Sequence, residues 1–510
     1  MMKHALIGLL LILLPMAAVA DPVEIDGIYY NLIKKAGLAE VAESPQTYTG
    51  DIVIPDTVVY NDQAYRVTTI GSMAFAHCRQ LKSVKMPNSV TSIDYMAFGE
   101  CRNIKEIPLP DSLKTIGNMA FYHCAELETV SIPASVEHVG SYVFTDCKSL
   151  KAVYIKDLKA WCRLSWTGGN PLEDAHTLYV DGKEVKELVI PEGIPAIGKA
   201  AFSGCNMTSL SIPGSVTSIE PYAFAQCKEL TSVALPTSID SISSYIFAGC
   251  SALESLTIPA SVRTIGNYAF SHCGALTEMV IPEGVTKIGL NAFEGCTALA
   301  SISIPGSVDD IGDGCFYQCT SLQDIPSLGG ATKIGNYSFY ECTGMKSINI
   351  PDNISHIGMS AFWGCSGLTE LTIPDHVTTI ESTAFYGCQN VTKITIGKRI
   401  QKIGYGAFSR IPELTDVYCQ AEKVPETDVN AFASSYIEYA MLHVPEAAVE
   451  AYRAVEPWNR FKNFYDPTGI NTISKPGGQA TIHDLRGMQI KRIPYKGIYI
   501  QNGRKRLAGQ

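Results

Sequence analysis

The sequence predicts a β-rich solenoid, with repeats of 23 residues stacked into an elongated, curved, right-handed coil with capped ends. Three observations carry that prediction. A phrase recurs, clearest as SALESLTIPASVRTIGNYAFSHC from Ser251 to Cys273 and repeated at once as GALTEMVIPEGVTKIGLNAFEGC to Cys296. One slot of the phrase holds Cys78, Cys101, Cys124, Cys147, Cys205, Cys227, Cys250, Cys273, Cys296, Cys319, Cys342, Cys365 and Cys388, at intervals of 23 almost throughout, 22 before Cys227 and 58 before Cys205. Phe stands three residues before each of them, from Phe75 to Phe385, and Phe408 continues the series with Ile411 in the Cys slot. Self-similarity at a fixed period of this length is the signature of a stacked array.

Composition agrees with a folded, elongated chain. At 510 residues it exceeds one ordinary core, and a hydrophobic share of 46% against 18% charged argues against disorder. The net charge of −10 argues against a general nucleic-acid-binding role. That charge is uneven. Residues 485–510 carry seven Lys or Arg and no Asp or Glu, so removing them from the total leaves −17 for the rest.

Taken in order, Lys3 and His4 precede the apolar run ALIGLLLILLPMAAVA, which ends in the small residues Ala18 and Ala20. This is the layout of a secretory signal peptide, residues 1–20, cut before Asp21. A membrane anchor fits less well, because the run is short and Pro15 interrupts it. No Cys lies near the cut, as a lipoprotein would need, and no later stretch is long and apolar enough to span a bilayer. The mature chain is therefore expected outside the cell or on its surface, without a transmembrane span. Residues 21–66 alternate apolar and polar positions, with Asp26-Gly27 and Asn61-Asp62 as hairpin turns, and read as an amino-terminal β cap.

Residues 67–419 form the solenoid. In the copy after Cys250 the fixed apolar positions are Leu253, Leu256, Ile258, Val262, Ile265, Ala269 and Phe270. Leu256 and Ile258 alternate with Ser255 and Thr257, which predicts a strand with one buried face, ended by Pro259. Gly266 is expected at a corner requiring positive φ, and NYAFSHC is too short for more than a turn or one helical turn. One unit cannot bury these residues alone, but stacked units can, at about 4.8 Å per strand. The 58-residue interval holds an expanded coil at about 151–191. There VYIKDLKAWCRLSW predicts a strand and a short helix, TGGNPLEDAHT a loop, and LYVDGKEVKELVIP a hairpin turned at Asp181-Gly182. Residues 420–465 read as a carboxy-terminal cap whose helix, from Pro445, places Val449, Tyr452 and Val455 on one side. Residues 466–510 comprise a linker and a small β tail.

The phrase L-x-x-[VIL]-x-I-P-x-x-V-x-x-I-G-x-x-A-F-x-x-C resembles the BspA-like leucine-rich repeats of bacterial surface proteins, over about residues 50–420. Departures are Gly397 in the Pro slot and IPSLGGATKIG, Ile325 to Gly335, where Leu328 takes it. The tail is similar to the carboxy-terminal sorting domains of the type IX secretion route in Bacteroidetes, through His483-Asp484-Leu485-Arg486-Gly487 and Lys496-Gly497-Ile498-Tyr499-Ile500. It is shorter than those domains, and a terminal β module with no sorting role fits equally. The resemblance implies a leucine-rich-repeat protein on the exterior of a bacterial outer membrane, with an adhesin-type role towards an extracellular protein or glycan.

No residues stand out as catalytic. G-x-S-x-G, H-E-x-x-H, phosphate-cradling and dinucleotide glycine motifs are absent, and no cofactor is expected. The thirteen repeat cysteines are expected as structural thiols, because stacked side chains point in parallel rather than towards one another. Cys162, Cys315 and Cys419 lie outside the slot, so a disulfide or reactive thiol would fall there. No metal site is expected. His77 and His123, two coils apart, are too distant to share an ion and read with His272 as solvated turn residues.

The ligand-binding candidates are Tyr317, Tyr340, Trp363 and Tyr386, which follow the core Phe in four successive coils and so form one column. Exposed aromatics bind sugars or apolar side chains, whereas a self-stacked ladder would only stiffen the turns. The outward strand residues, among them Ser209, Ser211, Ser301, Ser303 and Thr372, offer a second, polar face. The reading is a non-catalytic exported surface protein for adhesion. The alternatives are a glycan-binding or cell-envelope scaffold, and an enzyme with a diffuse site at Asp157–Lys186.

Overall fold

The computed structural model describes residues 21–464 apart from 324–327 and 349, and four strands beyond, Ile482–His483, Gln489–Ile490, Gly497–Gln501 and Arg504–Ala508, which form one antiparallel sheet. The expected signal peptide and linker lie outside the described residues. The chain divides into two compact units, one up to Glu184 and one from Val185.

The first unit opens with antiparallel hairpins. Val23–Ile25 pairs with Ile28–Ile33 across Asp26-Gly27, and Thr57–Tyr60 pairs with Gln63–Ile70 across Asn61-Asp62. All four turn residues have positive φ, the geometry such two-residue turns require. From Gln63–Ile70 onward the pairing becomes parallel, through Ser92–Ile93, Thr115–Ile116 and His138–Val139. A separate ladder joins Thr129–Ile132, Ala152–Ile155 and Leu178–Val180, and the chain turns back at Asp181-Gly182 into Lys183–Glu184. The expanded coil carries the helix Leu158–Cys162, whose first amides Asp157 caps. The segment expected as a plain loop also contains a helical turn, Leu172–Ala175, in which Leu172 and Ala175 are buried.

The second unit repeats the same coil. Most coils contribute two strand sites. One is the expected alternating strand, as in Ser209–Ser211 beside Ser232–Ala234 and Glu370–Ile373 beside Lys393–Ile396. The other, not anticipated, is a two-residue strand at the x-I of the T-I-G phrase, as in Thr264–Ile265 beside Lys287–Ile288. The register sets each residue against its repeat equivalent, Ile265 against Ile288, so like residues form columns.

Two details of the alternating strand differ from expectation. The copy after Cys250 lacks the alternating strand altogether, although Leu256 and Ile258 are buried and Ser255 and Thr257 exposed; nothing in the structure explains this. In the coil after Cys101 the same ladder shrinks to an isolated bridge, Glu106 with Thr129. There Pro108 occupies a strand position and removes the N–H that the ladder needs.

Gly266 does not have positive φ. The left-handed residues are two before and two after each core Phe, as Tyr268 (φ 55°) and His272 (φ 59°) are around Phe270. The pattern holds from Met73 and His77 to Gly406 and Arg410, so paired left-handed turns wrap the chain around every Phe. Gly266 is small for another reason: a Cβ there would lie 2.5 Å from the Ser244 amide nitrogen of the preceding coil. The closing helix, Val449–Arg453, is also shorter than expected. It buries Tyr452, but Val455 lies beyond its end and is 43% exposed.

The core is a ladder of rings. Phe75, Phe98, Phe121 and Phe144 stack at 5.0–5.4 Å between centroids in the first unit. Phe202 to Phe432 stack at 5.1–5.9 Å in the second. Each run ends on a ring turned out of the stack: Tyr48 and Trp166 in the first unit, Trp458 and Phe461 beyond Phe432. A tilted ring offers its edge to the face of the last Phe, a favourable aromatic geometry.

Candidate binding site on the turn corner

The Phe ladder and the cysteines beside it set the geometry of the corner. Eleven column thiols, from Cys101 to Cys388, donate to the carbonyl of the Phe in the preceding coil at 3.0–3.3 Å. Cys78 instead accepts from the Tyr48 amide at 3.3 Å. All sixteen cysteines are free and buried, Cys162, Cys315 and Cys419 included. Burial pushes the Cys205 thiol up to about 11 and those of Cys162, Cys296, Cys342 and Cys388 up to about 12. Such thiols stay protonated and unreactive at neutral pH. Past Cys388 the slot holds Ile411 and then Ser435, whose hydroxyl donates to the Phe408 carbonyl at 2.6 Å.

Because Phe points inward, the next residue points outward. Tyr317, Tyr340, Trp363 and Tyr386 form a continuous stack, with centroids 4.7, 5.6 and 4.0 Å apart and planes within 26°. All four are half-buried. The guanidinium of Arg410 sits 5.4 Å over Tyr386 and covers that end. Burial, and then the Glu341 and Glu294 carboxylates, raise the Tyr317 hydroxyl above its ordinary value. The interior ring faces are thus taken by neighbouring rings, and what the corner shows to a partner is ring edges and hydroxyls.

A second column escaped the sequence reading. Tyr222, Tyr245 and Tyr268, two residues before the core Phe, stack at 4.4 and 4.6 Å with planes within 10°. Its signal was present as PYAF, SYIF and NYAF in successive coils. The two slots are neighbours, since Tyr337 of one meets Tyr340 of the other at 6.2 Å.

In the first unit the turns carry charge instead. His77 pairs with Glu100 at 3.6 Å and His123 with Asp146 at 2.8 Å, each one coil on. Arg79 and Arg102 also bridge Glu100, and Lys148 bridges Asp146. These imidazoles, expected as solvated turn residues, are partly exposed and each also faces a carboxylate of the next coil. On the strand side, a groove lined by Lys82, Ser83, Lys105, Glu106, Glu128 and Thr129 lies beside the coil interrupted at Pro108. The outward strand residues Ser211, Ser301, Ser303 and Thr372 are exposed, and Ser209 is half-buried. Among the described residues no group of His, Cys, Asp and Glu is placed to hold a metal ion, and no helix is long and apolar enough to cross a membrane.

Coils of this length, parallel strand ladders between successive coils and a buried ring ladder define a leucine-rich-repeat solenoid. The model of the BspA-type leucine-rich repeat region matches residues 64–161, 179–299, 240–342 and 332–446, and the chain belongs to that family. Among solved structures, a leucine-rich repeat protein from Bacteroides ovatus is 27% identical with a TM-score of 0.52, covering 78% of this chain and 94% of its own. A leucine-rich cell surface protein from Faecalibacterium prausnitzii is 26% identical, with a TM-score of 0.44 over 74% of this chain and 94% of its own. A leucine-rich repeat protein from Eubacterium ventriosum is 21% identical, with a TM-score of 0.47 over 77% of this chain and 93% of its own. No curated protein matches the chain.

Proposed function

We propose that this chain is an exported, non-catalytic cell-surface protein that uses its solenoid for protein recognition or cell adhesion, with Tyr317, Tyr340, Trp363 and Tyr386 as its binding site. The observation that carries the reading is that those four rings, although stacked on one another, stay only half-buried and present a row of edges and hydroxyls on an outward corner. A sugar docks flat on an open ring face, and inside this column the faces are occupied. Ring edges and hydroxyls, with adjoining apolar surface, are what protein partners pack against, and Tyr and Trp dominate such contacts. Export rests on the basic, apolar and small-residue order of residues 1–20. Display on the outer membrane rests on the tail's likeness to sorting domains.

The test is binding of the full mature chain, residues 21–510, to an array of matrix proteins and glycans, beside a variant with all four rings replaced by Ala. Protein hits lost by the folded variant support the reading. Hits confined to glycans overturn it in favour of the envelope-scaffold alternative, and hits the variant keeps move the site to the strand face or its groove. For the tail, deletion of 466–510 should retain the protein inside the outer membrane; unchanged surface display rules out a sorting role.

A further inference from the structure

Between the two tyrosine columns lies one coil without an aromatic at the corner. The slots two before and one after Phe293 hold Asn291 and Glu294. On one side, Tyr268 stacks on Tyr245, and its opposite face looks towards the coil of Asn291. On the other, Tyr317 stacks on Tyr340, and its opposite face looks towards the coil of Glu294. In this notch, among the described residues, no further ring stacks on Tyr268 or Tyr317, and the coil between them presents Asn291 and Glu294 instead. Asn291 Nδ2 donates to Glu294 Oε2 at 2.9 Å and so orients the half-buried carboxylate between them. Its charge reaches both columns: after burial and their neighbours, Glu294 contributes to raising the hydroxyls of Tyr245 and Tyr317.

We propose that this notch is a receptor for a basic side chain, an arginine or lysine presented by an extended segment of a protein partner; this rests on reading the corner as the binding surface. The chain itself shows what suits such a ring face. At the far end of the column the guanidinium of Arg410 lies over Tyr386, within the distance at which a cation is drawn to the negative face of an aromatic ring. At the near end the chain places a carboxylate, Glu294, and among the described residues no Lys or Arg lies over the Tyr317 ring, so a cation there would come from a partner. A guanidinium entering here would lie against the Tyr317 ring and meet Glu294 in the same place, with a second carboxylate nearby at Glu341. The chain's net charge of −10 favours approach of a basic segment. A neutral or acidic segment gains neither contact.

The test immobilises a blocked Gly-Gly-Arg-Gly-Gly peptide at high density and measures retention of the full mature chain. Matched peptides replace the arginine with citrulline, which keeps its shape without its charge, or with lysine. Retention on the arginine and lysine peptides but not on citrulline is expected, with a loss of about tenfold or more in Glu294→Gln, the change that a single well-placed charged contact produces. Equal retention on citrulline, or unchanged retention of Glu294→Gln, overturns the proposal. Unaltered circular dichroism and unfolding of that isosteric variant exclude misfolding, and Tyr317→Leu should give the same loss by removing the ring. A protein hit that survives Glu294→Gln yet is lost with the four rings would sink this inference alone and leave the corner's binding role standing.

Discussion

The same corner is built in two chemistries. Around Phe75 to Phe144 the left-handed slot after Phe runs His77, Glu100, His123, Asp146, with imidazole and carboxylate alternating coil by coil. Around Phe224 to Phe385 the corner carries stacked rings, Tyr222 to Tyr268 and then Tyr317 to Tyr386. Inside, the units do not differ: both hold parallel Phe rings and thiols bonded to Phe carbonyls. The difference follows from magnitudes. Burying one Phe contributes about 1.5–3 kcal/mol, and every coil must supply it. An exposed ion pair contributes about 0–1 kcal/mol, and an aromatic pair about 0.5–1.5 kcal/mol beyond its buried area. The fold can therefore accept either ladder at the corner, and the corner is free to differ between the units.

The largest effect should come from breaking what the units share. Phe270→Ala should cost about 3–5 kcal/mol in urea unfolding, whereas Tyr245→Ala, on the same stack of coils, should cost about 1.5 kcal/mol or less. Equal losses would erase the distinction between core and corner. Gly266→Ala should cost about 1–3 kcal/mol by forcing the Ser244 backbone away, and an unchanged midpoint would remove the close-approach account. Cys273→Ser should stay within about 1 kcal/mol of the native protein, because Ser435 already fills that slot with a hydroxyl bonded to a Phe carbonyl. Thiol reagent should find all sixteen cysteines after unfolding without reductant and almost none before.

The smallest effect should separate the charged corner from the aromatic one by pH. The His123 contact, with Lys148, holds the Asp146 carboxyl below its usual range. A carboxyl whose pKa is depressed by folding stabilises the fold above the ordinary Asp value, about 3.9, and loses that contribution as pH falls through the lower folded value. Asp146→Asn should thus lower the urea midpoint slightly at pH 6 and not at all well below pH 3. A cost that persists in acid would assign Asp146 a role other than charge.

The repeat made the columns legible in advance, because Phe and Cys recur at one interval and a solenoid turns interval into position. Hairpin turns at Asp26-Gly27 and Asp181-Gly182 were legible for the same local reason, a residue pair suited to positive φ. The short strands such as Thr264–Ile265 were not, since two residues carry no period and exist as strands only through the coil beside them. Gly266 was misread because both of its possible uses, positive φ and close approach, look alike in sequence. The Tyr222 column and the His–carboxylate pairs were missed because each needs the register between coils before its members become neighbours.

The most direct test of a recognition corner on an indifferent core is a paired measurement on the variant lacking the rings of Tyr317, Tyr340, Trp363 and Tyr386: unfolding by urea and binding to the partner found on the array. The account predicts cooperative unfolding with the core intact, at a reduced midpoint, and binding lost by well over tenfold. Binding retained at native strength by that folded variant would contradict it.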